Sequence, residues 1–219
     1  MGTFGDFMIN YSYIFHFVTA LGMVTLFMFV DFNTISPGAN DNLTGTYAAV
    51  CALRMLDMAG VDFENTEVCA MITDGEEAGL RGCKSWAKNH YDEYVNSGVE
   101  TVVLCVDTLT DRDYLRVYNK DMTGTVKNNQ QFSQLVMDAS KDAGHDDIEL
   151  SSVFFGSSDA AAFSQAGITA TCLAAMDPRP ADYYHNRRDT ADRLVPETIK
   201  TGFDVIISTI LNFDEKGLN

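Results

Sequence analysis

Cations are scarce in this chain: 15 lysines and arginines stand against 31 aspartates and glutamates, a net charge of −16. A nucleic-acid backbone or an anionic membrane surface would repel such a chain, so nucleic acid is excluded as a partner. Cysteine is sparse too. Cys51, Cys69, Cys83, Cys105 and Cys172 make an odd count without zinc-ribbon spacing, which argues against a disulfide framework. Cys51, Cys69, Cys105 and Cys172 lie in apolar runs and read as buried free thiols of a reducing compartment. No internal repeat is visible, which removes solenoids and propellers. From Phe7 to Val30 there is no formal charge beyond what His16 can carry, and the first charged residue is Asp6. That run is long enough to cross a bilayer, but it lacks the basic residues that open a signal peptide. Its aromatic and β-branched content favours two buried strands instead, residues 11–17 and 24–32, turning near Gly22. Membrane association through residues 7–30 is the less favoured alternative, and His16 reads as a core or edge histidine.

What is present suits one globular domain over residues 1–219, with 46% hydrophobic and 21% charged residues. Helical periodicity marks residues 44–59 (closed by Gly60), 80–90, 132–144, 159–165 and 196–213, the last opened by Pro196. Apolar runs mark strands at 68–72, 101–106 and 167–173, and another strand opens at Ser151. Residues 108–128 are polar and poorly periodic, as in a surface excursion. The alternation predicts an α/β fold: three layers, α/β/α, around a mixed, mostly parallel central sheet.

The chemistry centres on Thr73-Asp-Gly-Glu-Glu-Ala-Gly-Leu80, where Glu76 and Glu77 follow the 68–72 strand. Adjacent carboxylates beside a core strand need a compensating cation or solvent. One arrangement gives one acid to a metal and the other to proton transfer; the plainer one is a solvated helix N-terminus. Asp41 in Asn40-Asp41-Asn42 reads as a ligand or an N-cap, Asp107 at a strand end as a ligand or a turn residue, and His185 as a ligand or an exposed loop histidine. Four carboxylates and an imidazole at strand-to-loop junctions suit divalent metals, zinc especially.

Pro37-Gly-Ala-Asn-Asp-Asn42, Thr73–Leu80, Asp107, Ser158-Asp159 with Phe163 and Gly167-Ile168, and Tyr184-His185 with Asp189-Thr190 run in the order of a known family. Together they resemble the co-catalytic zinc exopeptidases, which include bacterial leucyl aminopeptidase, glutamate carboxypeptidase and the glutaminyl cyclases. The resemblance covers roughly residues 24–215 and implies a zinc metallopeptidase that removes N-terminal residues from peptides with a free amino terminus. It implies that Asp41 bridges two zinc ions, that Glu77 and His185 complete one, that Asp107 binds the other, and that Glu76 is the general base. The chain departs from the pattern in three places. The His-x-Asp that supplies a ligand and its orienting acid reads Asp31-Phe32-Asn33, so Asp31 takes the ligand slot with oxygen, a harder donor set for zinc. Ser-Asp-His reads Ser158-Asp159-Ala160, and the region that precedes the motifs is short. Two further readings follow: a single-zinc acyltransferase like the glutaminyl cyclases, using Asp41, Glu77 and His185, and an impaired homologue that only binds. The free thiols favour the cytoplasm, and the resemblance leans towards export.

Overall fold

Where two buried strands are expected at the amino terminus, the chain instead forms one helix, α1 (Thr3–Phe29). A computed structural model describes residues 3–29, 33–177, 179 and 181–218. Uncharged residues without a polar face satisfy their backbone within a helix as readily as in a sheet, and this helix exposes its apolar side chains along its length. Asp31 and Phe32, the end of the second expected strand, lie outside the described residues. The chain divides into two compact units, Met1–Ser36 and Pro37–Asn219.

In the second unit an irregular turn, Ala39–Thr44, leads into α2 (Gly45–Met58). There follow α3 (Arg81–Tyr94), β1 (Val102–Asp107), β2 (Leu115–Asp121), β3 (Val126–Lys127) and α4 (Gln130–Asp142). The order closes with β4 (Glu149–Ser152), α5 (Asp159–Gln165), β5 (Thr169–Ala175) and α6 (Pro196–Lys216). The strands run β1-β5-β2-β3, with β4 also on β2. β1 pairs with β5 in parallel, in a register that sets Cys105 beside Cys172 and Asp107 beside Ala174. β2 is antiparallel to β5 and β3 and parallel to β4. The sheet is therefore mixed as expected, although parallel pairs do not predominate among the described strands.

Two apolar clusters cover the two faces of the sheet, which gives the three layers. One gathers Ala48 and Ala52 of α2, Phe132 and Val136 of α4, and Val205 and Ile206 of α6 around Leu115, Val117 and Leu173. The other sets Cys83 and Ala87 of α3 and Ala160–Phe163 of α5 against Ala170, Cys172 and Ala174. Small side chains let α5 lie close to the sheet. Its start is set locally, since the Ser158 hydroxyl accepts the Ala160 N–H.

Three further expectations are corrected. Residues 108–128 are no surface excursion, because β2 lies in the middle of the sheet with Leu115 and Val117 fully buried. Residues 68–72 join no strand, and Cys69 and Ile72 are exposed. All five cysteines are free, but Cys51 and Cys69 are exposed, and Cys83 joins Cys172 as a buried thiol. Burial pushes the Cys83 thiol up to about 12, so it is an inert packing group.

The contact between α2 and β1 decides where the Ala39–Thr44 turn sits. A Cβ on Gly45 would stand 2.3 Å from the Val106 carbonyl oxygen and 2.6 Å from Asn42 Oδ1. Backbone cannot yield as a flexible side chain does. Gly45→Ala is expected to cost about 3 kcal/mol, the upper range for overpacking. Urea denaturation checks this: the midpoint falls and the slope is unchanged.

Candidate metal centre

Three chain segments converge at the carboxyl end of β1. The first is the Ala39–Thr44 turn. Asn42 Oδ1 accepts the N–H groups of Gly45 (3.0 Å) and Thr108 (3.1 Å), and its Nδ2 donates to the Val106 carbonyl at 3.0 Å. Asn40 Oδ1 accepts the Thr110 N–H at 3.1 Å, and Thr44 Oγ1 accepts that of Leu109 at 3.1 Å. The alternate residues 40, 42 and 44 thus stitch the turn to the segment leaving β1. Asp41 and Asn42 have non-helical backbone, and the peptide between them is cis. Asp41 does not cap α2; its carboxylate is free to act elsewhere.

Asp189 holds this turn from the other side. Its buried carboxylate accepts the Asn40 N–H at 2.8 Å and the Asp41 N–H at 2.9 Å, and its carbonyl accepts the Ala39 N–H. Tyr183, also buried, receives a hydrogen bond from Asn40 Nδ2 and donates its own proton to Asp111. Sequence reasoning gave Asp189 no role, and read Asn40 only as a side chain able to cap or coordinate. The nearest signal was their inclusion in the matching stretches.

The second segment carries the glutamates. Gly75, Gly79 and Leu80 all take positive φ, and the amides of Gly79 and Leu80 return to the Glu76 carbonyl at 2.9 and 2.8 Å. Gly82 permits the closeness, because a Cβ there would meet the Asp74 carbonyl at 2.3 Å. Leu80, 4% exposed, pins the turn to the core. The third segment presents His185 at φ +56, its ring stacked on Tyr184 with 3.7 Å between centroids.

Asp41, Glu77 and His185 meet there, each offering one ligand atom, all within 4.8 Å of one another. His185 Nε2 lies 2.8 Å from Glu77 Oε1 and 3.3 Å from Asp41 Oδ2. Hydrogen bonds to Asp41 and Glu77 lift the imidazole to about 10. Glu76 is half-buried, and burial together with Glu77, Asp159 and Asp41 pushes it up to about 7. Asp107 is raised well above the ordinary carboxylate range by burial first, then by Asp41, Glu76, Asp159 and Glu77.

This donor set fits a divalent ion. Two carboxylates and an imidazole are a familiar zinc set, and they bring excess negative charge that a cation relieves. Asp107 Oδ1 is buried with no hydrogen-bond partner, as is Asp159 Oδ1, and an unpaired buried acceptor is costly unless something positive faces it. Glu76 and Asp107 stand beside the three-residue cluster, coupled to it by charge, and are not part of it. Asp31 lies outside the described residues.

The model of peptidase family M28 matches residues 23–210. Among solved structures, the chain superposes on BSAP, a zinc aminopeptidase from Bacillus subtilis, with TM-score 0.68 and 23% identity over 80% of this chain and 42% of that one. On the LapA aminopeptidase of Legionella pneumophila the TM-score is also 0.68, with 17% identity over 85% of this chain and 49% of that one. A glutaminyl cyclase from an Acidobacteriales bacterium matches with TM-score 0.51 and 18% identity over 63% of this chain and 47% of that one. At these identities the likeness concerns the fold, and the chain spans less than half the length of each relative. A comparison with curated proteins gives no match.

Proposed function

The chain belongs to peptidase family M28, and we propose that it is a metal-dependent aminopeptidase with Asp41, Glu77 and His185 as the ligands of one zinc ion. The convergence of those three side chains, from segments 36 and 108 residues apart (77 − 41 and 185 − 77), is the observation that carries this reading. A zinc ion held there would supply Lewis acidity and make a nearby water easier to deprotonate.

The chain's own residues supply the rest. Glu76, half-buried with its affinity for protons raised, takes a proton from the attacking water and hands it to the departing amine. Its neighbour Glu77 is held in the ligand cluster, so the adjacent acids have separate tasks. The acidic surroundings favour a substrate that carries a free, positively charged α-amino group. A peptide with an unblocked amino terminus is therefore the proposed substrate.

A second ion would draw on Asp41 and Asp107, and the sequence resemblance alone assigns a further ligand to Asp31. The free Asp107 oxygen supports it, but an all-oxygen set holds zinc less firmly than one with an imidazole. Elemental analysis after dialysis is expected to find one zinc per chain in the native sequence. Asp31→His combined with Asn33→Asp is expected to retain a second ion and to hydrolyse unblocked peptides faster. Zero ions in both proteins would overturn the assignment.

The same three ligands suit single-zinc acyl transfer. The product separates the readings: free amino acids from an unblocked peptide support the peptidase, and cyclisation of an N-terminal glutamine the alternative.

A further inference from the structure

We propose that α1 is a membrane-spanning anchor and that the lipid hydrocarbon is what covers it. Residues Ile9–Met28 form 20 residues of helix with mean hydropathy 1.4, none of that surface buried. At about 1.5 Å rise per residue they measure roughly 30 Å, the thickness of a bilayer's hydrocarbon core. Phe15, Phe17, Val18, Leu21, Leu26 and Phe27 are each more than half exposed. At about 100° per residue they point all around the helix axis. A protein partner would need one apolar stripe with a polar back, whereas lipid asks for apolar surface on every side.

The polar side chains support the same occupant. Ser12 Oγ donates to the Ile9 carbonyl at 3.0 Å and Thr25 Oγ1 to the Leu21 carbonyl at 2.7 Å. His16 Nδ1 lies 2.6 Å from the Ser12 carbonyl. Polar groups that bond back to their own helix can enter hydrocarbon without seeking water. Tyr11 and Tyr13 fall near one end of the span, the level of the headgroups. Lying flat on a charged surface is disfavoured, because there is no lysine or arginine before Arg54 and the chain carries −16 overall. The feature thus inserts, and does not adsorb.

The test uses the full chain incorporated into neutral phosphatidylcholine vesicles, floated on a density gradient and washed with carbonate at high pH. The wild type is expected to float, to resist the wash and to keep residues 3–29 by intact mass. Phe17→Arg combined with Leu21→Arg lies outside the family match and is expected to lower the retained fraction at least about tenfold. Zinc content should be equal in both proteins. Release of the wild type by carbonate, or retention of the double variant, would overturn the proposal. So would a chain produced in cells and recovered without residues 3–29, which marks a removed leader. Loss of zinc in the double variant would also overturn it, by making α1 part of the metal domain. Peptide turnover is not read, so failure here leaves the peptidase proposal standing.

Discussion

Replacing Glu76 by glutamine is expected to lower kcat on an unblocked peptide about a thousandfold, within the range for loss of a general base. The amide keeps the size of the carboxyl group but cannot take up a proton. Zinc per chain should stay at the wild-type value, because the proposed ligands are Asp41, Glu77 and His185 and not Glu76. Glu77→Gln provides the contrast: it removes a ligand charge and should lose metal and activity together. If Glu76→Gln lost both in equal proportion, Glu76 would be a ligand or a fold determinant, and the separation of tasks between the adjacent acids would fail. Steady-state kinetics with elemental analysis of the same preparation decides.

The second large effect belongs to a residue that meets no substrate. Asp189→Ala strands the amide hydrogens of Asn40 and Asp41, each otherwise held within 3 Å of a buried carboxylate oxygen. An unsatisfied buried donor costs about 1–3 kcal/mol, so the pair implies roughly 2–6 kcal/mol. The turn that aims Asp41 would also loosen, and losing such a positioning partner weakens metal binding about 10- to 100-fold. Asp189→Asn keeps one good acceptor and should recover part of both losses. Chemical denaturation gives the first quantity and zinc titration against a chelator the second. A variant that lost stability but bound zinc normally would reduce Asp189 to a packing residue.

Much of this centre could be read from the sequence because its donors are chemically conspicuous. Asp41, Glu76, Glu77, Asp107 and His185 stand at the ends of apolar runs or in loops, and the order of those stretches points to one family. The helix at 159–165 and the Pro196 helix start were legible for another reason: they depend on neighbours within a few residues. The roles of Asn40, Asn42 and Asp189 were not legible. The bonds that tie them to the segment leaving β1 and to one another span 64 to 149 residues, and no local pattern carries that information. β2 escaped notice because polar residues interrupt it. Asp121, fully buried, is satisfied by Ser157, Ser158 and the Met122 amide. Residues 68–72 have a strand's composition, but composition does not supply a partner to pair with. In α1, aromatic and β-branched content argued for strands, but the same uncharged residues close their backbone hydrogen bonds within a helix.

The stitching of Asn40, Asn42 and Thr44 to residues 106–110 has a consequence for the order of events during synthesis. A nascent chain that has left the ribosome only through Glu77 already holds most of the donors, yet it has nothing to hold Asp41 in place. The backbone that receives those side chains arrives some thirty residues later, and the clasp of Asp189 is eighty residues further still. Assembly of the proposed zinc site must therefore wait for residue 189, and a fragment that stops short of it leaves Asp41 unaimed.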